Sequence, residues 1–336
     1  MKDESFSEIR HDSMKVLLSR PRGFCAGVVR AIDTVEIALQ HFGTPLYVRK
    51  EIVHNQAVVA QFRARGVEFI DALDEAPSGS LVVFSAHGVS PEVRKQASDR
   101  NLHVIDATCP LVTKVYAEVH RFRKQGYSIL LIGHEDHDEV QGTLGEAPEI
   151  IHVVGSAEEA DRVQVPNPNK VVALTQTTLS VDEASIIIDA LRKRFPKLET
   201  PAKDDICYAT QNRQDAVKAL VSQGIHLLLV VGSQNSSNSV RLCEVAEALG
   251  VEAHLIDRAA EIDPKWLEGT EAIGLTAGAS APEYIVQEVI RWLEQQGAKT
   301  EELDLIQEDV NFALPTELTQ LVDSQELRLL PTAAAG

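Results

Sequence analysis

Asp106-Ala-Thr-Cys109-Pro-Leu-Val-Thr-Lys114 sets a cysteine directly ahead of a helical period that runs to Lys124. The arrangement recurs at Cys25-Ala-Gly-Val-Val-Arg30, running to Gln40, and at Cys207-Tyr-Ala-Thr-Gln-Asn212, running to Ser222. A glycine closes each period, Gly43, Gly126 and Gly224, at 18, 17 and 17 residues after its cysteine. Glycine at that place suits a left-handed helix cap. A β-prone run follows each time, Pro45–Val48, Ser128–Ile132 and His226–Val231. A polar loop comes next, with His54, His137 or Ser236 at 29, 28 and 29 residues after the cysteine.

The later part of each unit repeats as well. Late strands lead into Ser85-Ala-His-Gly-Val-Ser-Pro-Glu92, Thr175-Gln-Thr-Thr-Leu-Ser-Val-Asp-Glu183 and Thr276-Ala-Gly-Ala-Ser-Ala-Pro-Glu283. Each is a loop of small polar residues with a helix-entry serine, twice followed by proline in the first turn. Strand, loop and helix in regular alternation predict an α/β protein with mostly parallel sheets. The repeat predicts three α/β units, 15–109, 110–205 and 206–295, related by a pseudo-threefold axis. Residues 1–14 read as a flexible extension and 296–336 as a C-terminal segment with a mobile tail, Val310–Leu314 adding an edge strand. In open parallel sheets ligands sit beyond the carboxyl ends of the strands, so the three loops and their cysteines are expected to face one centre.

Composition narrows the function. The 336 residues carry 32 Lys and Arg against 50 Asp and Glu, a net charge of −18. That argues against nucleic-acid or anionic-membrane partners, which rely on clustered Lys and Arg. An anionic small molecule remains open, because a local pocket can oppose the global field. Apolar runs such as Leu227–Val231 and Ile129–Ile132 are far shorter than the roughly 20 residues of a bilayer span. Met1–Ser13 has neither a secretory core nor a transit-peptide composition, so a cytoplasmic protein is expected.

Four scattered cysteines do not make a disulfide scaffold. Three of them at matched repeat positions invite a metal, although they lie 84 and 98 residues apart with no Cys-x-x-Cys pair. Structural zinc takes four protein ligands, often in close pairs. A four-iron cluster takes four cysteines, and with three it keeps an open iron. Three small buried thiols are the plain alternative. Cys243, in Val240-Arg-Leu-Cys-Glu-Val-Ala246, has no counterpart in the repeat and reads as core packing.

The loops add a second clue. His54-Asn55, His87-Gly88, Ser236-Ser237-Asn238 and Ser280 are neutral donors near expected helix N-termini, where backbone N–H groups favour phosphate. Taken singly, each is equally a solvated loop or helix cap. Gly133-His-Glu-Asp-His-Asp-Glu139 is dense in titratable groups yet lacks the His-Glu-x-x-His spacing of a zinc protease. A histidine and a carboxylate two residues apart can hold and protonate a hydroxyl. An exposed acidic turn is the alternative, and Thr175–Thr178 adds hydroxyls in the same unit. Dinucleotide, P-loop and nucleophile-elbow patterns are absent from the sequence.

Eight segments in order, Pro21-Arg-Gly-Phe-Cys25-Ala-Gly-Val28, Val53-His-Asn55, Ser85-Ala-His-Gly-Val89, Asp106-Ala-Thr-Cys109-Pro-Leu-Val112, Thr175-Gln-Thr-Thr-Leu-Ser180, Asp204-Asp-Ile-Cys207-Tyr-Ala-Thr210, Gly232-Ser-Gln-Asn-Ser-Ser-Asn-Ser239 and Thr276-Ala-Gly-Ala-Ser-Ala-Pro282, resemble the 4-hydroxy-3-methylbut-2-enyl diphosphate reductase (LytB) family. The resemblance covers about residues 15–315. It implies three α/β units around a central iron–sulfur cluster of the [4Fe-4S] type, held by Cys25, Cys109 and Cys207 with one iron open to the substrate oxygen. It implies that His54, His87, Ser236, Ser237, Asn238 and Ser280 grip the diphosphate. His137, Glu139 and Thr177 would surround the hydroxyl end, with Glu139 the proton source. The implied reaction adds two electrons and two protons, releases water and yields isopentenyl and dimethylallyl diphosphates, with reduced ferredoxin or flavodoxin as donor.

Two positions depart from the family's pattern. Asp138 stands where proline is common, which is expected to loosen Glu139, and Val29 replaces an often acidic residue. Arg22, Arg49, Lys50 and Lys114 are candidates for a basic docking spot for the donor. The competing readings are a zinc-dependent hydrolase using the three cysteines and the His134–Glu139 loop, and a non-catalytic iron–sulfur sensor that binds a phosphometabolite.

Overall fold

The computed structural model describes residues 14–203 and 205–324. Most of the expected extension, and the tail after 324, therefore lie outside the described residues. In chain order the strands are β1 (Lys15–Arg20), β2 (Leu46–Arg49), β3 (Val67–Ile70), β4 (Leu81–Phe84), β5 (His103–Asp106), β6 (Ser128–Ile132), β7 (Ile151–Val154), β8 (Val171–Thr175), β9 (Leu227–Val231), β10 (Glu252–Ile256), β11 (Ala272–Ala277) and β12 (Lys299–Asp304). The helices are α1 (Ala26–Phe42), α2 (Gln56–Ala64), α3 (Pro91–Asp99), α4 (Pro110–Lys124), α5 (Asp138–Glu146), α6 (Ala157–Ala160), α7 (Val181–Arg194), α8 (Tyr208–Ser222), α9 (Ser237–Ala248), α10 (Glu283–Gln295) and α11 (Thr316–Ser324).

The strands form three sheets, ordered β10-β9-β11-β1-β12, β3-β2-β4-β5 and β7-β6-β8. Every pairing in them is parallel. This is the α/β architecture with parallel sheets that the repeat predicts. The described chain divides into two compact units, one of residues 14–24 with 212–308 and one of residues 25–211 with 309–324.

The unit containing residues 212–308 is built on the five-stranded sheet. Its central strands read Leu-Leu-Leu-Val-Val and Ala-Ile-Gly-Leu-Thr-Ala, apolar without alternation, as a strand covered on both faces must be. β1 joins this sheet rather than β2–β5, pairing Lys15–Leu18 with Ala272–Leu275. Gly274 lets Ile225 pack close to the strand: a Cβ there would lie 2.6 Å from Ile225 Cδ1, and that side chain would have to shift. Cys243 packs among Leu242, Val245, Leu220 and Val230, the core role expected of it.

The edge strand expected at Val310–Leu314 is instead β12, ten residues earlier, paired with β1. Its sequence, Lys-Thr-Glu-Glu-Leu-Asp, is mostly exposed, and a charged edge strand discourages further pairing. Polarity therefore hid a true strand, while the more apolar 310–314 stretch has no strand pairing.

The unit containing residues 25–211 holds the other two sheets. In β6 the pleat sends Leu130 and Ile132 to a core with Leu179, Ile187, Leu191 and Phe195. Ile129 and Leu131 face Val115, Val119, Phe122 and Val140 on the other side. Tyr47, Val82 and Phe84 pack with Ile70, Leu73 and Val89 on the four-stranded sheet. Each such side chain, fully buried, contributes about 1.5–3 kcal/mol. Among the described residues no helix is long and apolar enough to cross a membrane.

Candidate active site

All three matched cysteines lie in the unit of residues 25–211, and each opens a helix. Cys25 is the N-cap of α1 and Cys109 the N-cap of α4, with Pro110 in the first turn. Cys207 directly precedes α8. Neither N-cap sulfur caps its helix by a side-chain bond, and all three thiols are free and half-buried. Ordinary capping residues accept from the first-turn amides. Cysteine does so poorly, so its presence at these helix starts asks for another reason.

The thiols share one locality. A side chain on Gly27 would lie 2.7 Å from Cys109 Sγ and 3.8 Å from Cys25 Sγ, so the two sulfurs are no farther apart than those distances together. Burial pushes the Cys109 thiol up to about 12, against the lowering effect of the Leu111 amide, and Cys25 and Cys207 raise it further. Burial likewise pushes Cys207 up to about 11, with Cys25 the next cause. The Cys207 sulfur accepts from Thr210 N at 3.4 Å and lies 3.2 Å from Thr210 Oγ1.

Cys109 and Cys207, whose thiolates burial disfavours although the amides of Leu111 and Thr210 face them, lie with Cys25 at helix starts and suit a cationic group that replaces their protons. The bare Gly27 keeps the space between two of them clear. This donor set fits an iron–sulfur cluster, whose irons want thiolates.

Several contacts fix the cysteine loops. Arg30, one turn into α1, donates to Thr108 O at 3.0 Å and Ala313 O at 2.7 Å, tying the start of α1 to the loop before Cys109. Ala26 N donates to the Tyr208 hydroxyl at 3.3 Å, joining the starts of α1 and α8. The carboxylate of Asp205 is buried, accepts from Thr175 N at 3.3 Å and pairs with Lys114 at 3.3 Å. Arg30, Asp205 and Tyr208 were not among the expected site residues. Their sequence signal is only adjacency to the cysteines.

Glu139 is 3% exposed, one residue inside α5. Its carboxylate accepts from Thr177 N at 2.7 Å and Thr177 Oγ1 at 2.8 Å. Burial drives its pKa from 4.5 up to about 7, the two Thr177 bonds opposing the rise and Asp205 adding to it. Thr177 O in turn accepts from Cys207 N at 3.0 Å, so one loop connects the acid to a thiol. Asp138 does not loosen Glu139, because Thr177 holds the carboxylate at both oxygens. Asp138 occupies the first helical position, where proline and aspartate are both well tolerated.

Three histidines gather beside this acid. His54 and His87 stack with centroids 3.8 Å apart at 15°, and His137 meets them edge-on at 5.4 and 6.0 Å. His137 is the N-cap of α5, its Nδ1 accepting from Glu139 N at 3.2 Å, which puts the ring proton on Nε2. Burial lowers its pKa to about 4. Burial, then the neighbouring His54 and His137, holds His87 well below 6.5. His87 and His137 are thus neutral at pH 7 and offer N–H donors without charge.

The serine loop belongs to the other unit. Ser236 caps α9, its hydroxyl accepting from Ser239 N at 3.4 Å and Ser239 Oγ at 2.9 Å. Ser280 Oγ lies 3.4 Å from Ser236 Oγ, and Asn238 Oδ1 accepts from Ala279 N at 2.9 Å. Gly232 and Gly278 leave room for Ser239, since a Cβ on either would fall within 2.3 Å of its hydroxyl. Ser236, Asn238 and Ser280 therefore form one buried polar cluster, with Ser237 half-buried beside them.

Of the four candidates for a donor-docking spot, Arg22 pairs with Glu283, Lys50 with Asp71 and Lys114 with Asp205, and Arg49 is half-buried.

Residues 16–294 match the family model described as LytB protein. The chain is 56% identical over 310 residues to a 4-hydroxy-3-methylbut-2-enyl diphosphate reductase of Azoarcus sp. (strain BH72), covering 92% of this chain and 99% of the relative. It is 57% identical over 306 residues to the enzyme of the same name from Nocardia farcinica, covering 90% and 91%. Its fold is similar to that of the solved E-1-hydroxy-2-methyl-but-2-enyl-4-diphosphate reductase from Plasmodium falciparum, with a TM-score of 0.90, 38% identity and coverage of 94% and 99%.

Proposed function

This chain belongs to the LytB protein family, and we propose that Cys25, Cys109 and Cys207 hold the iron–sulfur centre with which it reduces 4-hydroxy-3-methylbut-2-enyl diphosphate. It is an oxidoreductase of the non-mevalonate route to isoprenoids. The observation that carries the site is one locality holding three unpaired thiols and a buried carboxyl linked to one of them through Thr177.

A [4Fe-4S] cluster with three protein thiolates supplies single electrons and a Lewis-acid corner when bound. The protein supplies the rest. Glu139, poised between its two protonation states near neutral pH, delivers a proton to the departing hydroxyl so that water leaves. Thr177 holds that carboxyl at both oxygens, which fixes the direction of delivery. His137, with its proton on Nε2, orients the hydroxyl end. Overall two electrons and two protons enter, and water and the isopentenyl or dimethylallyl diphosphate leave.

His54, His87, Ser236, Ser237, Asn238 and Ser280 bind the diphosphate, with His137 and Thr177 completing the substrate contacts. Neutral hydroxyl, amide and imidazole donors in a dry setting grip phosphate oxygens without a Lys or Arg clamp. Reduced ferredoxin or flavodoxin is the electron donor, and the cytoplasm is where the two meet.

Anaerobic protein loaded with iron and sulfide is mixed with reduced methyl viologen. Substrate-dependent oxidation of the dye, with isopentenyl and dimethylallyl diphosphates as products, is the expected outcome. Dye oxidation no faster with substrate than without it, in fully loaded protein, overturns the assignment.

A further inference from the structure

Asp138 gives this chain a second possible ligand set. The donor atoms of His54, His87 and Asp138 all lie within 4.8 Å of one another. His54 Nε2 is 4.0 Å from Asp138 Oδ2, and the two imidazoles are stacked at 3.8 Å. Two imidazoles and one carboxylate are a donor set that zinc and its first-row neighbours favour.

The outer contacts support that reading. His54 Nδ1 lies 3.4 Å from Glu51 Oε2, and His87 Nδ1 lies 3.3 Å from Ser85 Oγ. Metal-binding histidines commonly give one ring nitrogen to such a partner, which fixes the tautomer and leaves the other nitrogen's lone pair for the ion. Charge points the same way. Asp138 and Glu51 place two carboxylates against His54, and Arg49, close enough to sense Asp138, offsets one of them. Bonds of about 2.0–2.2 Å to zinc require the donors to close by roughly 1 Å. Asp138, 29% exposed at the first position of α5, closes its share by a side-chain rotation, and one imidazole turns out of the stack, because a ring nitrogen's lone pair lies in the plane of its ring.

We propose that His54, His87 and Asp138 form a binding site for a divalent late-transition cation, Zn²⁺ foremost, and that its occupation competes with the substrate. The competition clause rests on the diphosphate role proposed above for His54 and His87; the metal site itself does not.

The test titrates Zn²⁺ into anaerobic, cluster-loaded protein by calorimetry, with zinc-edge X-ray absorption on the complex. Asp138→Pro is the main variant. Proline is accommodated at a first helical position, and no backbone bond donated by Asp138 N is among those of the loop. Asp138→Asn is the second variant, which keeps the side-chain shape if proline disturbs folding. One Zn²⁺ per chain with nitrogen and oxygen ligands, bound at least tenfold more weakly by either variant, is the expected result. Sulfur ligation, or equal affinity in a folded variant, overturns the proposal.

Steady-state kinetics with Zn²⁺ then separates the two readings. A raised KM at constant kcat, absent in the variant, supports both. Zinc bound at this site without a change in KM keeps the metal site and removes the diphosphate role of the histidines.

Discussion

Replacing Glu139 by Gln keeps the shape of the side chain and removes its proton. The carboxyl is 3% exposed, and burial raises its pKa from 4.5 to about 7. A raised carboxyl pKa means the folded state holds the proton more tightly than the unfolded chain. Its stabilising effect is thus present at low pH and is lost as pH rises through the folded value. Between pH 6 and pH 8 the wild-type protein should lose about 1 kcal/mol from this group alone. Negative charge on Cys207, which interacts with Glu139, moves the window upward. Glu139→Gln should lack that loss, and denaturant midpoints of both anaerobic proteins at the two pH values measure it. In turnover the variant should fall by about a hundredfold or more in kcat, with iron content unchanged, since a positioned acid contributes 10²–10⁴-fold. Wild-type kcat should decline above pH 7 as the carboxyl ionises. Near-wild-type kcat in the variant, or the same pH-dependent loss of stability in both proteins, would refute the role assigned to this carboxyl.

Three further substitutions probe the surrounding shell. Thr177→Val removes the hydroxyl bond that favours ionised Glu139 and keeps the backbone one, so the alkaline limb of the kcat profile should move up by roughly one pH unit. Gly27→Ala favours the helix by up to about 1 kcal/mol, yet its methyl would sit 2.7 Å from Cys109 Sγ. Helical circular dichroism should hold while iron content drops, and full iron loading would show that the gap beside Cys109 is dispensable. Arg30→Met removes a cation that interacts with Cys109. Potentiometric titration should then show a more negative cluster midpoint, because reduction adds charge that Arg30 favours; an unmoved midpoint would limit Arg30 to holding the loop.

The order of helices and strands could be read from the chain because three copies of one pattern reinforce one another. Strands such as β6, apolar from Ile129 to Ile132, stand out, and glycine ends α1 at Gly43 as the cap chemistry requires. β12 escaped notice because an exposed edge is free to be charged, and its partner β1 stands almost the whole chain away. The thiols, His137 and the Thr175–Thr178 loop stand out in the sequence by recurrence, and Glu139 by its loop of titratable groups and the family resemblance. Asp205 and Tyr208 do not, because their importance lies in bonds to Thr175 N and Ala26 N that only the folded chain creates. The effect of Asp138 was also hidden: its carboxylate faces His54, from the far side of a sequence gap of more than eighty residues.

Iron and acid-labile sulfide, counted per chain in protein purified without air, bear most directly on the whole account. About four of each in the wild type is expected, with most of both lost in Cys25→Ser, Cys109→Ser and Cys207→Ser and none lost in Cys243→Ser. Stoichiometric zinc with no iron in the wild type, or an undiminished cluster in all three variants, would contradict it.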